Sequence, residues 1–348
     1  MTRFPAAIDN PGERPGSGPS ALAPVALLGY VLIRGCDASV LKWLQERGAA
    51  TLLRTAGAED PISFSNVFFF ASLATGLVML LLDRGSVRRQ LPEFSAADYG
   101  LLISRAALGF LLGPIGYFMA LQRLSVASQT LLFTLTLPAT AMLARMMLGE
   151  RLPPRFGLTL TLLPAGLLIS RSMDLAAPDS GGGLDPAGIG WALLSVTAFA
   201  AAGVLNRMVA GKGWGMGLTI GLSSLIAALV FGAVTLLVFG PAQFLHLRWW
   251  WLMGVLLVYT GGISVGGELM LLASYRGLGA ITVALWGNAV VLVALASAHL
   301  LLGEPLGSRT LLGAGLILAG LLAAQPGGAG RARLHTTGQG RPTQASDP

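Results

Sequence analysis

Leu148-Gly149-Glu150-Arg151-Leu152 and Leu302-Gly303-Glu304-Pro305-Leu306 each close a long apolar stretch, and the two Leu-Gly-Glu triplets stand 154 residues apart. Laying Leu124–Arg171 over Leu278–Gln325 keeps that spacing without a gap. Leu131 then falls on Leu285, Ala144 on Ala298, Leu152 on Leu306, Arg155 on Arg309, and Ala165-Gly166-Leu167-Leu168 on Ala319-Gly320-Leu321-Leu322. Identity in Leu or Ala carries little weight in so apolar a chain. The shared Gly-Glu, the Arg five residues later and the Ala-Gly late in the next segment carry more. The chain reads as two copies of one membrane unit, the plan of many secondary transporters.

Composition agrees. The chain has 348 residues, 54% hydrophobic and 11% charged, with a mean hydropathy of +0.70. A soluble domain carries roughly 25% charged residues. That deficit, with many apolar runs near the length of a bilayer crossing, predicts a membrane protein. The net charge of +7 fits the positive-inside bias. Nucleic-acid binding would need a clustered basic face, and the sequence has none. Cys36, the only cysteine, excludes an intrachain disulfide and reads as a small packing residue. No cleavable signal peptide is evident, because the first hydrophobic segment carries Arg34 and Asp37 and reads as a retained helix.

The apolar periodicity predicts an all-α integral membrane protein of ten transmembrane helices, arranged as two inverted five-helix repeats. The helices are expected near 22–42, 62–82, 98–121, 124–148, 154–171, 187–210, 214–239, 249–273, 278–302 and 308–324. Residues 1–21 and 326–348 read as disordered cytoplasmic tails, 22–171 and 187–325 as the two repeats, and 172–186 as an extracytoplasmic linker rich in Gly and Asp. Five helices per repeat force the second copy to insert upside down. With the N-terminus inside, fourteen Lys and Arg lie on the inner side and seven on the outer. This bias places both termini in the cytoplasm of a multi-pass inner-membrane protein.

The two Leu-Gly-Glu corners, each before a short helix with its Ala-Gly, resemble the drug/metabolite transporter superfamily, in particular chains with two EamA-type domains. Ala120-Leu121 with Leu124-Ser125, the mid-helix Pro138, and Lys42 at the end of the first helix fit the same pattern. The resemblance covers about 22–325. The chain departs from it in having Leu292 where the first half has Pro138, and in an unusually charged first helix. The resemblance implies a central cavity, alternating access and a small polar metabolite, with export favoured over import, whereas Arg105 and Glu268 together would suit an amphoteric substrate such as an amino acid. It implies no cofactor or metal, and it is compatible with proton coupling and with a homodimer.

Ionisable residues far from helix ends are the first site candidates, because a charge at mid-bilayer costs about 2.5–3.5 kcal/mol even on mild scales. Arg34 and Asp37 share one face of the first helix, either as a cavity pair or as a structural ion pair. Arg105 is a candidate for gripping an anionic group, or for snorkelling to the interface. Glu268 is a candidate for an ammonium group or a coupling proton, or for an ion pair with a neighbouring Arg. Arg34 and Arg105 are thus assigned to substrate, and Asp37 and Glu268 to proton coupling. Gln129 and Thr130 on the fourth helix and Trp286 and Asn288 on the ninth are candidates because the resemblance implies that these helices line the cavity. Tyr117 and Tyr259 are candidates for stacking or hydrogen bonding. Glu150 and Glu304, at helix ends, are expected to cap a helix or pair with a basic residue.

Two other readings stay open. Gly262-Ile263-Ser264-Val265-Gly266 matches the G-x-S-x-G pattern, and an intramembrane serine protease would pair Ser264 with His299. A non-transporting sensor or scaffold would leave the buried charges unexplained. Metal-ligand clusters, phosphate loops and triads are absent from the sequence, and no enzymatic activity is expected.

Overall fold

The structure, a computed structural model, describes residues 22–54, 62–150, 152, 155–171, 185–245, 254 and 256–323. The two tails, nearly all of the 172–186 linker and Trp249-Trp250-Trp251 lie outside the described residues. Among the described residues every regular element is helical. The long helices are α1 (Leu22–Arg54), α2 (Phe64–Leu82), α3 (Ala96–Arg123), α4 (Val126–Leu148), α5 (Phe156–Arg171), α6 (Pro186–Gly211), α7 (Gly217–Phe239), α8 (Gly267–Gly287), α9 (Ala289–Leu302) and α10 (Ser308–Ala323). Six of the described helices, α1 to α4, α6 and α7, are long and apolar enough to cross a bilayer. This is a multi-pass membrane protein.

Local chemistry explains most of the boundaries. Ser63 and Asn66 form a capping box at the start of α2, and Ser95 and Asp98 form another at α3. Asp185 accepts from the Ala187 N–H, with Pro186 in the first turn of α6. Gly149 and Gly303 end α4 and α9 in the left-handed region, each at φ 68°. α1 runs twelve residues past the end expected at 42, to Arg54. The apolar run stops at Lys42, but polar residues are not in themselves a helix stop. Trp43-Leu44-Gln45-Glu46-Arg47 contains no proline or glycine, and most of it favours helix.

Two interruptions depart from the pattern of apolar runs. α4 breaks at Thr134-Leu135, because Pro138 has no N–H to offer the Thr134 carbonyl. The aligned position in the second half, Asn288, separates α8 from α9 without a proline. Helical backbone also continues through 274–277, where the sequence predicts a loop, and ends only at Gly287. The chain still reverses there. Gly29 lies against Met270 and Gly267 against Arg34, an antiparallel pairing with α1, whereas Gly35 lies against Val293 and Ser39 against Ser297, a parallel one. π-helical turns at Ala106–Leu112 in α3 and Val258–Gly266 before α8 occupy overlapping aligned positions.

α5 and α10 pack closely as a pair. A Cβ on Gly166 would come within 2.6 Å of the Gly313 carbonyl oxygen, so only small residues allow this approach. The largest buried cluster gathers Leu41, Leu44, Phe68, Phe118, Leu121, Val126 and Phe231 at one end of the bundle. The Phe68 ring meets Phe118 at 5.8 Å and Phe231 at 5.5 Å between centroids.

Candidate functional site: a central cavity

Above that aromatic floor lies a cavity of about 890 Å³ lined from α1, α2, α3, α4, α6, α7, α8, α9 and α10. At the floor its walls are buried, with Leu41 at 1% and Tyr259 at 5% exposure. Toward the other end the lining includes exposed residues, Asn206 and Tyr275.

Among the described residues four charged side chains line it: Arg34, Asp37, Arg105 and Glu268. One turn of α1 brings the Arg34 Nη1 to 3.2 Å from Asp37 Oδ2. Asp37 Oδ1 is buried and makes no hydrogen bond. Arg105, 7% exposed, is held by neutral oxygens: its Nε donates to Asn206 Oδ1, and its Nη1 to the Thr219 carbonyl and, at 2.9 Å, to Ser223 Oγ. Its guanidinium also lies 5.2 Å from the Phe110 ring centre. Glu268 makes no hydrogen bond and no ion pair among the described residues; its charge acts at longer range on Arg34 and Arg105. The cavity therefore holds one mutually neutralised pair, one cation fixed by dipoles and one carboxylate without a contact partner.

Tyr117, Thr130, Tyr259 and Asn288 also line the cavity. Thr130 Oγ1 and Asn288 Nδ2 are buried without a hydrogen-bond partner. Such groups are costly in an apolar interior unless a ligand or water meets them. Gln129 and Trp286 do not line it. Gln129 is fully buried, and both its amide atoms are unpartnered. It directly precedes Thr130 on the helix, so the two side chains point to different faces. Trp286 is 61% exposed. Ser264 lines the cavity, but His299 is exposed at the end of α9 and its Nδ1 donates to the Glu304 carbonyl. The two are not brought together, which removes the geometric basis for the protease reading.

Asn206, Ser223 and Ser224 are site residues that the sequence reading passed over. Asn206 carries the signal used for Gln129 and Asn288, an amide within an apolar helix. The serines carry no such signal, since a serine hydroxyl readily bonds its own helix backbone.

Residues 186–324 match the EamA-like transporter family. The chain thus carries an EamA-like transporter domain. Among solved structures, one described only as a protein crystal structure is 18% identical, with 90% of this chain and 98% of that chain covered and a TM-score of 0.49. No curated protein matches the chain. The EamA-like domain spans α6 to α10 and contributes Asn206, Tyr259, Glu268 and Asn288 to the cavity.

Proposed function

We propose that this chain is a secondary transporter that moves a small polar metabolite, an amino acid or related compound, out of the cell by alternating access. The observation that carries the reading is Glu268, a carboxylate without a contact partner among the described residues, in a cavity shared by both halves. Glu268 is only half-buried, but a charge within a membrane-spanning segment is costly unless paired, and a substrate ammonium group or a coupling proton would complete it. Arg105 supplies a fixed positive charge across the cavity for the substrate's anionic end, and Asp37 with Arg34 forms a second polar station beside Tyr117 and Tyr259. Thr130 and Asn288 offer unpartnered hydrogen-bonding groups. Gln129 and Trp286 drop out of the binding set because they do not line the cavity.

The reading carries the wider plan with it: ten crossings, inverted repeats over 22–171 and 187–325, and an inner-membrane chain with both termini in the cytoplasm. Support comes from the paired left-handed corners at Gly149 and Gly303, the aligned breaks at Thr134 and Asn288, and the aligned π turns in α3 and before α8. No cofactor or metal takes part.

The test is metabolite profiling of cells and medium with wild type, Glu268→Gln and an empty vector. The expected result is a compound displaced only by wild type, with Glu268→Gln inserted normally and at least about tenfold slower, the loss expected for about 1.4 kcal/mol of lost transition-state stabilisation. Equal transport by Glu268→Gln would remove Glu268 from the mechanism.

A further inference from the structure

The corner between α3 and α4 is bound from both halves of the chain. Lys42 Nζ on α1 donates to the carbonyls of Leu121 and Leu124, and Gln45 Nε2 donates to the Phe118 carbonyl at 2.9 Å. These are the last carbonyls of α3, where a cation is favoured. The Glu304 carboxylate, from beyond α9, accepts from the Val126 N–H at 2.7 Å and the Ala127 N–H at 3.1 Å. These are the first donors of α4, where an anion is favoured. The corner sits at the cavity floor: Leu41, next to Lys42, lines the cavity, and Phe118, Leu121 and Val126 belong to the cluster that closes it.

At the other end of the bundle the arrangement differs. Glu150, the counterpart of Glu304, pairs with Arg207 on α6, both of them exposed. The carboxylate-to-backbone clasp of Glu304 is thus made where the cavity is shut, whereas the described contact of Glu150 is an ion pair with a side chain.

We propose that Glu304 forms a latch that holds the two halves together at the shut end of the cavity, on a corner that Lys42 braces from within the first half, and that its release accompanies opening of that end. This rests on the alternating-access reading above. Glu304 comes from one half and the corner from the other, so any rocking motion that opens this end must part them. The contacts are also of a releasable kind: charged groups on helix ends, which water can satisfy once the end opens.

The experiment reads access to the cavity from each membrane face. Cys36 is replaced by Ala, and Ser72, which lines the cavity from α2, is replaced by Cys. Labelling by a membrane-impermeant maleimide is then compared in right-side-out and inverted vesicles. The parent is expected to label mainly from the face nearest Glu150. Glu304→Gln is expected to raise labelling from the opposite face by about tenfold, equivalent to removing about 1.4 kcal/mol from the closed state. Val126→Pro deletes one of the two N–H donors at a position where proline is tolerated, and it is expected to shift labelling in the same direction. If Glu304→Gln fails to insert, Val126→Pro carries the test. Unchanged labelling ratios in the inserted variants would overturn the latch. A shifted ratio in a protein that moves no metabolite would leave the latch standing and sink the transport reading; unshifted labelling with normal transport would sink the latch alone.

Discussion

At Gly149 and at Gly303 the backbone makes the same left-handed turn, and the following N–H reaches back to the aligned carbonyls of Ala144 and Ala298. Beyond that turn the two corners part. Glu150 reaches a guanidinium on a half-exposed face, whereas Glu304 reaches two backbone N–H groups in the other half of the chain. The tripeptide sets the turn, because only a residue without a Cβ adopts this conformation at little cost. What the carboxylate then holds depends on which helix end stands opposite. At Glu304 that is the start of α4, freed by the extended Leu124 and by Ser125, which caps the helix through the Ser128 N–H.

The comparison is broken most directly by removing each carboxylate. Glu304→Ala leaves two helix-end donors without their charged acceptor and is expected to cost about 2 kcal/mol. Glu150→Ala opens an ion pair between half-exposed groups and is expected to cost less than about 1 kcal/mol. Thermal unfolding in detergent should show a lowered midpoint for the first and little change for the second. Equal shifts would mean that the two corners are equivalent in energy as well as in backbone.

A smaller and symmetric effect sharpens it. Gly149→Ala and Gly303→Ala each place a Cβ at φ 68°, at a cost of roughly 1 kcal/mol. The same unfolding measurement should return matching losses. Clearly unequal losses would show that the corners already differ at the turn itself.

The smallest effect concerns the start of α6. Arg123 Nη1 lies 2.8 Å from Asp185 Oδ2. The Arg123 guanidinium beside Asp185, with the Ala187 N–H, holds its carboxyl below the usual carboxylate range. A lowered folded value means that the contribution is fully present above the unfolded value of about 3.9 and fades as pH falls through the lower folded value. Asp185→Asn should therefore lower the unfolding midpoint slightly at pH 7 and leave it unchanged near pH 2. A larger loss at acid pH would contradict the sign.

Much of the fold was legible in the chain. Apolar runs, serine and aspartate caps, and the Gly-Glu corners are local signals, and most helices begin and end close to them; the end of α8 at Gly287 and the start of α9 at Ala289 do not. The overrun of α1 to Arg54 was not legible, because the end of an apolar run marks the membrane boundary and not a helix stop. At the site, eight of the ten candidate residues line the cavity. Gln129 and Trp286 do not, since a polar or aromatic residue in a helix says nothing by itself about which face meets the cavity.

The sequence by itself determined a helical membrane chain, the two matching corners, and the few ionisable residues that a bilayer interior must accommodate. These follow from solvent, backbone geometry and residue type, all of which act locally. Only the tertiary structure decided that Arg105 is held by Asn206, Thr219 and Ser223, that Glu268 has no contact partner among the described residues, and that Glu304 caps a helix 178 residues away in sequence. Those outcomes depend on which helix ends and which side-chain dipoles the packing brings opposite one another, and spacing along the chain does not encode that.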